Sequence, residues 1–353
     1  MERPSGIAEN DGTEAVTEER ETMAPNPWVA KADEGVRWGV QLVLGDAGLA
    51  TLLERGRLID SLGIDGFFIF DHPSLQADPW SCLSAVAAVT GRVTLGSVVN
   101  CVGYRHPAML ARLASDVDNI SQGRLMLGVG IGWLEPEFRA FGVPFTPPAD
   151  RYAALEEALA IVQGAWGPEK FSFTGEHYQV EGLRITPPPI QQPRPPLMIG
   201  GSGEQRTLRL VARYADACNI SEAEPAAEGM DDAKRAMIVR HKLDVLRRHC
   251  ADVDRPYDDI LRSHFTLKLV VGATDADAEA KLDRLLASPS TSPATRRAAR
   301  SAFAVGGPAT IVRRYQALVD AGIQYFVVQV DSDDVETLEL LAREIAPRVN
   351  YGA

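Results

Sequence analysis

From Val36 onward, short apolar runs that are typical of buried strands alternate with longer segments whose apolar residues recur at helical spacing. We predict eight strands, each followed by a helix, at residues 36–44, 66–70, 93–100, 124–133, 197–200, 215–221, 264–271 and 324–331. Strands that alternate with helices form parallel sheets, and eight such units predict a closed (β/α)8 barrel, the TIM barrel. An open doubly wound sheet is the alternative.

Two segments interrupt this alternation. Residues 1–34 are acidic and poor in aliphatic side chains, which predicts a disordered acidic leader ahead of a single domain at residues 35–353. Residues 164–196 are rich in proline, glycine and aromatic residues, and the run F-S-F-T-G-E-H-Y-Q-V within them predicts a small hairpin. We interpret residues 164–196 as an insertion between the fourth helix and the fifth strand that acts as a lid.

Composition narrows the class of protein. The chain has 353 residues, of which 45% are hydrophobic, enough for one large core, and its formal net charge of −12 disfavours a nucleic-acid partner. The four cysteines form no C-x-x-C pair and the six histidines have no metal-ligand spacing, so we expect a reduced compartment and no metal. No apolar run is long enough to cross a membrane, and we predict a cytoplasmic protein.

Barrel enzymes carry their chemistry at the carboxyl ends of the strands. His72 follows the second strand directly after Asp71, and the adjacent carboxylate could set the tautomer and basicity of a catalytic imidazole. A histidine that completes a loop hydrogen bond is the alternative. Asn100 is delivered to the same rim by the third strand.

Two glycine-rich turns lie at this rim. Gly130-Ile131-Gly132 lets a flat or anionic ligand approach the backbone, or simply forms a tight turn. Gly200-Gly201-Ser202-Gly203 opens a helix, where free backbone N–H groups favour a phosphate, and Arg206 could add positive charge. Ordinary turn chemistry is the alternative for the second turn as well.

Several longer motifs resemble the bacterial luciferase-like flavin and deazaflavin oxidoreductases, especially their F420-dependent branch. The motifs are F-D-H at 70–72, L-G-S-V-V-N-C-V-G-Y-R-H-P-A at 95–108, S-Q-G-R-L-M-L-G-V-G-I-G-W-L-E-P-E-F at 121–138, F-G-V-P-F at 141–145, and I-G-G-S-G-E-Q-R-T-L-R-L-V-A-R-Y-A-D at 199–216. Together they extend in order over residues 36–221.

The resemblance implies roles for individual residues. His72 would lie beside the reactive ring as proton acceptor or donor with Asp71 next to it, and Trp80 corresponds to an aromatic residue that follows this pair in the F420 group. A non-proline cis peptide bond behind the ring is implied near Val98-Val99. The residues implied to bind the cofactor's ring or phosphate are Trp80, Val98, Val99, Asn100, Gly130, Ile131, Gly132, Gly200, Gly201, Ser202, Gly203 and Arg206.

The resemblance implies an F420-dependent oxidoreductase that transfers a hydride between coenzyme F420 and a small organic substrate. The alternatives are a monooxygenase that uses reduced FMN and oxygen, and a cofactor-binding protein without turnover. A homodimer is possible by analogy. One departure concerns the substrate, because sugar-phosphate dehydrogenases of this group have a glutamate after the fourth-strand glycines where this chain has Trp133. The indole suggests a more apolar pocket.

Overall fold

The computed structural model describes residues 26–221, 230–287 and 292–352. Its strands are β1 (Arg37–Val43), β2 (Gly66–Ile69), β3 (Thr94–Ser97), β4 (Asn100–Cys101), β5 (Leu125–Gly130), β6 (Phe171–Thr174), β7 (Gln179–Leu183), β8 (Leu197–Gly200), β9 (Ala217–Ile220), β10 (Leu261–Thr266), β11 (Leu269–Val271), β12 (Ala304–Gly306) and β13 (Tyr325–Asp331). Its α-helices are α1 (Pro27–Ala30), α2 (Leu49–Ser61), α3 (Pro79–Ala87), α4 (Pro107–Ile120), α5 (Glu135–Ala140), α6 (Pro148–Ala165), α7 (Thr207–Tyr214), α8 (Asp232–Asp252), α9 (Asp275–Leu285), α10 (Pro293–Ala302), α11 (Pro308–Asp320) and α12 (Val335–Leu340).

The main sheet closes into the predicted TIM barrel. Its strands follow the order β3-β2-β1-β13-β10-β9-β8-β5, every neighbouring pair is parallel, and a pairing of β3 with β5 closes the ring. Most of the helices pack outside this ring in one large apolar core. The open doubly wound sheet is excluded by this closure.

Three barrel strands differ by three residues or more from a predicted bound. The fourth strand of the barrel ends at Gly130 instead of residue 133. The third is interrupted after Ser97, because a cis peptide bond joins Val98 to Val99 and pairing resumes only at β4. The seventh ends at Thr266, where the chain turns outward through the exposed Leu267. The following β11 then pairs with β12 in a separate two-stranded sheet.

Side chains of the barrel strands alternate between two environments, as the strand period requires. Val40 and Leu42 of β1 join the core beneath the helices. The lower interior of the barrel is filled by a separate cluster that includes Phe68, Met126, Met198, Ala217, Leu261 and Tyr325. The barrel is therefore a packed core at its amino end, and open space is left only toward its carboxyl end.

The amino-terminal segment closes the lower end of the barrel. Val29 and Ala32 are buried in the interior cluster, and the Trp28 ring lies 5.7 Å from that of Tyr325. The Arg37 guanidinium lies 5.0 Å from the Trp28 ring. The prediction of disorder is thus wrong for residues 26–34, because their apolar side chains fill the open end of the barrel; residues 1–25 of the predicted leader lie outside the described residues.

The predicted hairpin is present as the antiparallel pair β6 and β7, and its second strand extends to Leu183. The hairpin packs beside the third barrel unit, where the Tyr178 ring meets the His106 ring at 5.5 Å. Among the described residues no helix is long and apolar enough to cross a membrane.

Candidate active site

A cavity of about 720 Å³ opens at the carboxyl ends of the barrel strands. This volume lies in the usual range for ligand pockets, and the position is where barrel enzymes place their active sites. The lining combines neutral polar groups with many apolar side chains and includes Gln41, Val43, Phe70, Asp71, His72, Val98, Val99, Gly130, Ile131, Gly132, Trp133, Gly200, Gly201, Ser202, Asn219, Phe265 and Gln329. None of the described residues that line it comes from 164–196, so a lid role for that insertion finds no support.

His72 lies in the cavity wall and is held from behind by Glu137. The His72 Nδ1 and Glu137 Oε2 atoms are 2.7 Å apart. The imidazole is partly exposed, with 22% of its side-chain surface accessible, whereas Glu137 is buried at 2%. The Trp133 indole meets the imidazole edge-on, with 5.7 Å between ring centroids.

Glu137 accepts several further hydrogen bonds. The Ser74 hydroxyl and backbone N–H donate to Oε1, and the Tyr104 hydroxyl donates to Oε2 over 3.2 Å. Burial opposes ionisation of Glu137, but the hydrogen bonds from Ser74 and His72 outweigh it and lower the pKa of this carboxyl below its usual value. An ionised Glu137 requires a proton on Nδ1 of His72, so Nε2 is the nitrogen free to exchange a proton with a ligand.

Asp71 has a different role from the predicted one. Its carboxylate accepts hydrogen bonds from Arg105 over 2.7 Å and from the backbone N–H of Cys101 over 3.2 Å, and Arg105 also pairs with Asp78. Burial raises the pKa of Asp71, and Arg105 opposes this shift. Asp71 therefore ties the end of β2 to β4, and the carboxylate that orients His72 is Glu137.

The cis bond between Val98 and Val99 lies in the cavity wall, at the position that the resemblance implied. The Gln41 amide donates to the Val98 carbonyl and accepts from the Gln329 amide over 2.8 Å. A chain of neutral amides thus fixes the backbone on which a planar ring could rest.

The glycines beside this bond make room for protein atoms. A Cβ atom added to Gly130 would lie 2.8 Å from Cγ2 of Val99, and one added to Gly200 would lie 2.7 Å from Cγ1 of Val99. At Gly132, whose φ is +74°, a Cβ would lie 2.5 Å from the Cys101 sulfur. We predicted that these glycines let a ligand approach the backbone. In the structure, the packing of Val99 and Cys101 already requires glycine at these positions.

The turn from Gly200 to Gly203 reaches the cavity through its first three residues. The Ser202 hydroxyl donates to the Ser221 carbonyl over 3.0 Å, and Tyr152 and Thr207 share a hydrogen bond of 2.7 Å. The exposed Arg206 guanidinium lies 5.7 Å from the Tyr152 ring, just outside the lining. Backbone N–H groups, hydroxyls and one nearby cation are a donor set suited to a phosphate.

Four of the predicted cofactor residues do not line the cavity, namely Trp80, Asn100, Gly203 and Arg206. Trp80 is buried within the helical core, because Pro79 and Trp80 begin α3 with the indole directed inward. Asn100 is fully buried and donates to the Gly128 carbonyl over 3.0 Å, which links β4 to β5. Both residues therefore contact other parts of the barrel and not the cavity.

Asn219 adds a group that sequence reasoning missed. It belongs to the cavity lining and is 4% exposed. Neither its amide oxygen nor its amide nitrogen has a hydrogen-bond partner among the described residues. Buried amides are normally paired, so a ligand in the cavity is a fitting partner for it. The volume, the amides and the phosphate-type turn together fit a planar ring with an anionic tail.

Glu137 was also missed, together with Ser74 and Tyr104. Glu135, the first glutamate after the fourth-strand glycines, is exposed and pairs with Arg139. Phe138 could have indicated in the sequence that Glu137 is buried, since an apolar residue beside it in a short helix indicates that this turn faces inward.

The model of the luciferase-like monooxygenase family matches residues 36–325. The chain belongs to the luciferase-like monooxygenase family. Within it, the chain is 27% identical over 334 residues to an F420-dependent glucose-6-phosphate dehydrogenase of Microbacterium testaceum, covering 89% of this chain and 97% of the relative.

Solved structures share the family fold. The coenzyme F420-dependent tetrahydromethanopterin reductase of Methanopyrus kandleri superposes with a TM-score of 0.73 at 17% identity, over 89% of this chain and 99% of the reductase. The monooxygenase RslO1 of Streptomyces bottropensis gives 0.70 at 21% identity, over 88% and 99% of the two chains. Proteins that share this fold thus include ones named for F420 and ones named as monooxygenases, and this chain is a luciferase-like oxidoreductase by its family match.

Proposed function

We propose that this member of the luciferase-like family is an F420-dependent oxidoreductase that transfers a hydride between coenzyme F420 and a small organic substrate. The observation that carries the proposal is the His72 imidazole, which lines the cavity and is oriented by the buried carboxylate of Glu137. The choice of F420 over FMN is supported by the relative from Microbacterium testaceum, whose similarity covers 89% of this chain.

Each part of the cavity has a task in this reaction. When bound, F420 supplies a ring that accepts or donates a hydride, and the protein supplies binding, orientation and proton transfer. Val98 and Val99 support the ring, and the turn at Gly200–Ser202 with Arg206 holds the anionic tail. His72 accepts or donates the accompanying proton at Nε2, while Glu137 keeps the proton on Nδ1.

The test is equilibrium binding of F420 and of FMN to the purified protein in the same buffer and salt. We expect F420 to bind at least about tenfold more tightly than FMN. Preference for FMN, followed by oxygen uptake with reduced FMN, would support the monooxygenase instead.

A third outcome separates catalysis from simple binding. If F420 binds but the wild type, like His72→Ala, transfers no hydride with any member of a panel of alcohols, ketones and enones, the protein is a cofactor carrier. We expect instead that His72→Ala binds F420 normally and transfers hydride poorly, because the imidazole supplies a proton rather than affinity.

A further inference from the structure

The cavity wall consists of two arcs with different chemistry. The strands β10, β1 and β2, with the loops that follow them, deliver an apolar arc, defined as Val43, Phe70, Leu75, Phe265 and Leu267, while β13 between β10 and β1 adds the amide of Gln329. The strands β5, β8 and β9 on the other side deliver glycines, hydroxyls and an amide, among them Gly200, Ser202, Asn219 and Ser221. If the polar arc holds the anionic tail, the apolar arc is left for the substrate.

None of the described residues that line the cavity is a lysine or an arginine. The basic residues beside the apolar arc are already engaged. Lys268, next to Leu267 of the apolar arc, pairs with Asp331, and Arg105 pairs with Asp71. Asp71 itself lines the cavity and contributes a negative charge. An anionic substrate would therefore lose water without gaining a counter-charge on this side.

Large apolar side chains are exposed around the mouth of the same cavity. Leu75 is 53% exposed, Leu267 is 47% exposed and Trp133 is 70% exposed. Exposed apolar groups that gather at one opening mark a binding surface for an apolar partner. The amides on this side of the cavity, Gln41 of β1 and Gln329 of β13, are neutral and bonded to each other.

From these observations we infer that the apolar arc, with Trp133, binds an uncharged and largely apolar substrate rather than a sugar phosphate. This inference rests on the proposed function for the role of the polar arc. By this inference the substrate class of the chain differs from that of the relative named for glucose 6-phosphate, with which the chain shares 27% identity. The specificity-determining positions are Leu75, Trp133 and Leu267.

The test compares two probes of nearly the same skeleton by isothermal titration calorimetry, with and without F420 present. Menadione is neutral, and 1,4-naphthoquinone-2-sulfonate carries one negative charge on the same ring system. We expect menadione to bind about tenfold more tightly than the sulfonate, and glucose 6-phosphate not to bind. Leu267→Lys and Leu75→Lys should weaken menadione about tenfold and strengthen the sulfonate.

Met237→Lys is the matched control, because Met237 is 63% exposed on α8 and lies outside the described lining. Equal or tighter binding of the sulfonate or of glucose 6-phosphate would overturn the inference, as would menadione binding that neither lysine variant alters. A failure of F420 to bind would instead refute the proposed function, because the probe preference is also measured without the cofactor.

Discussion

Glu137 holds the imidazole of His72 through a 2.7 Å contact to Nδ1 that spans 65 residues of sequence. The contact joins the loop after β2 to the short helix α5, which follows β5. It leaves Nε2 of His72 without a hydrogen-bond partner among the described residues, in the wall of the cavity. A buried carboxylate that orients an imidazole is an arrangement suited to general acid-base catalysis.

Loss of this pair should reduce hydride transfer while cofactor binding persists. We expect His72→Ala to lower kcat about 100-fold and Glu137→Gln about tenfold, because the amide keeps the shape but removes the charge that fixes the tautomer. The measurement is the steady-state rate with the best substrate of a panel, together with the Kd for F420. Glu135→Gln is the control, since Glu135 is exposed and pairs only with Arg139 among the described residues. A Glu137→Gln variant with wild-type kcat would contradict the positioning role.

The lowered pKa of Glu137 predicts a pH-dependent contribution to stability. A carboxyl whose folded pKa lies below its unfolded value stabilises the fold above the unfolded pKa of about 4.3, and this contribution is lost as the pH falls through the folded pKa. The unfolding free energy of the wild type should therefore exceed that of Glu137→Gln at neutral pH, and the difference should shrink in acid. Urea titrations of both proteins across this range measure it, and a difference that grows toward low pH would refute the sign.

The barrel could be predicted because its signal is local and repeated. Each strand and helix is encoded within its own short segment, and eight repeats determine the topology. The carboxyl-end rule then placed His72 and the two glycine-rich turns at one face without any knowledge of contacts.

The contacts between elements could not be predicted in the same way. His72 precedes Glu137 by 65 residues, and only the neighbouring Phe138 distinguishes Glu137 locally from the exposed Glu135. Trp80 was assigned by family position, but the start of α3 directs its indole into the core. The segment 1–34 as a whole is acidic and poor in aliphatic side chains, yet Val29 and Ala32 near its end fill a space that exists only once the barrel has closed.

The role of residues 26–34 can be tested at Val29. We expect Val29→Asp to lower the unfolding free energy by about 2 to 5 kcal/mol, because it places an unpaired carboxylate in the lower interior of the barrel. Ala30→Asp is the matched control, since the neighbouring residue is exposed. Urea unfolding of both variants gives the comparison. Equal stability of the two would mean that this segment does not close the barrel in solution.

The packing of Val99 between two glycines predicts a compensating pair of substitutions. Gly200→Ala should destabilise the protein by about 1 to 3 kcal/mol, since the new methyl would approach Val99 Cγ1 at 2.7 Å. Val99→Ala removes that methyl, so the double variant should recover part of the loss. Gly48→Ala controls for the change of residue, because no atom lies within 4 Å of the added Cβ. Additive losses in the double variant would show that Val99 is not the obstacle.

Arg206 offers a test of the phosphate assignment that is independent of catalysis. Its guanidinium lies at the cavity rim over Tyr152, beside the turn at Gly200–Ser202. We expect Arg206→Ala to weaken F420 binding about fivefold, and this difference should diminish at high salt because the charge is exposed. The tail-free deazaflavin chromophore should bind both proteins equally, since it carries no phosphate.

Arg209→Ala is the matched control, because Arg209 is an exposed arginine on the same helix α7 that does not belong to the described lining. Fluorescence titrations of the three proteins with F420 and with the tail-free chromophore compare each variant with the wild type for each ligand. Equal weakening of both ligands by Arg206→Ala would assign the residue to the ring or to the fold instead of the tail. Equal effects of Arg206→Ala and Arg209→Ala would mean that Arg206 favours F420 binding only as part of the general surface charge. Binding of the anionic tail would then depend on the backbone N–H groups of the turn alone.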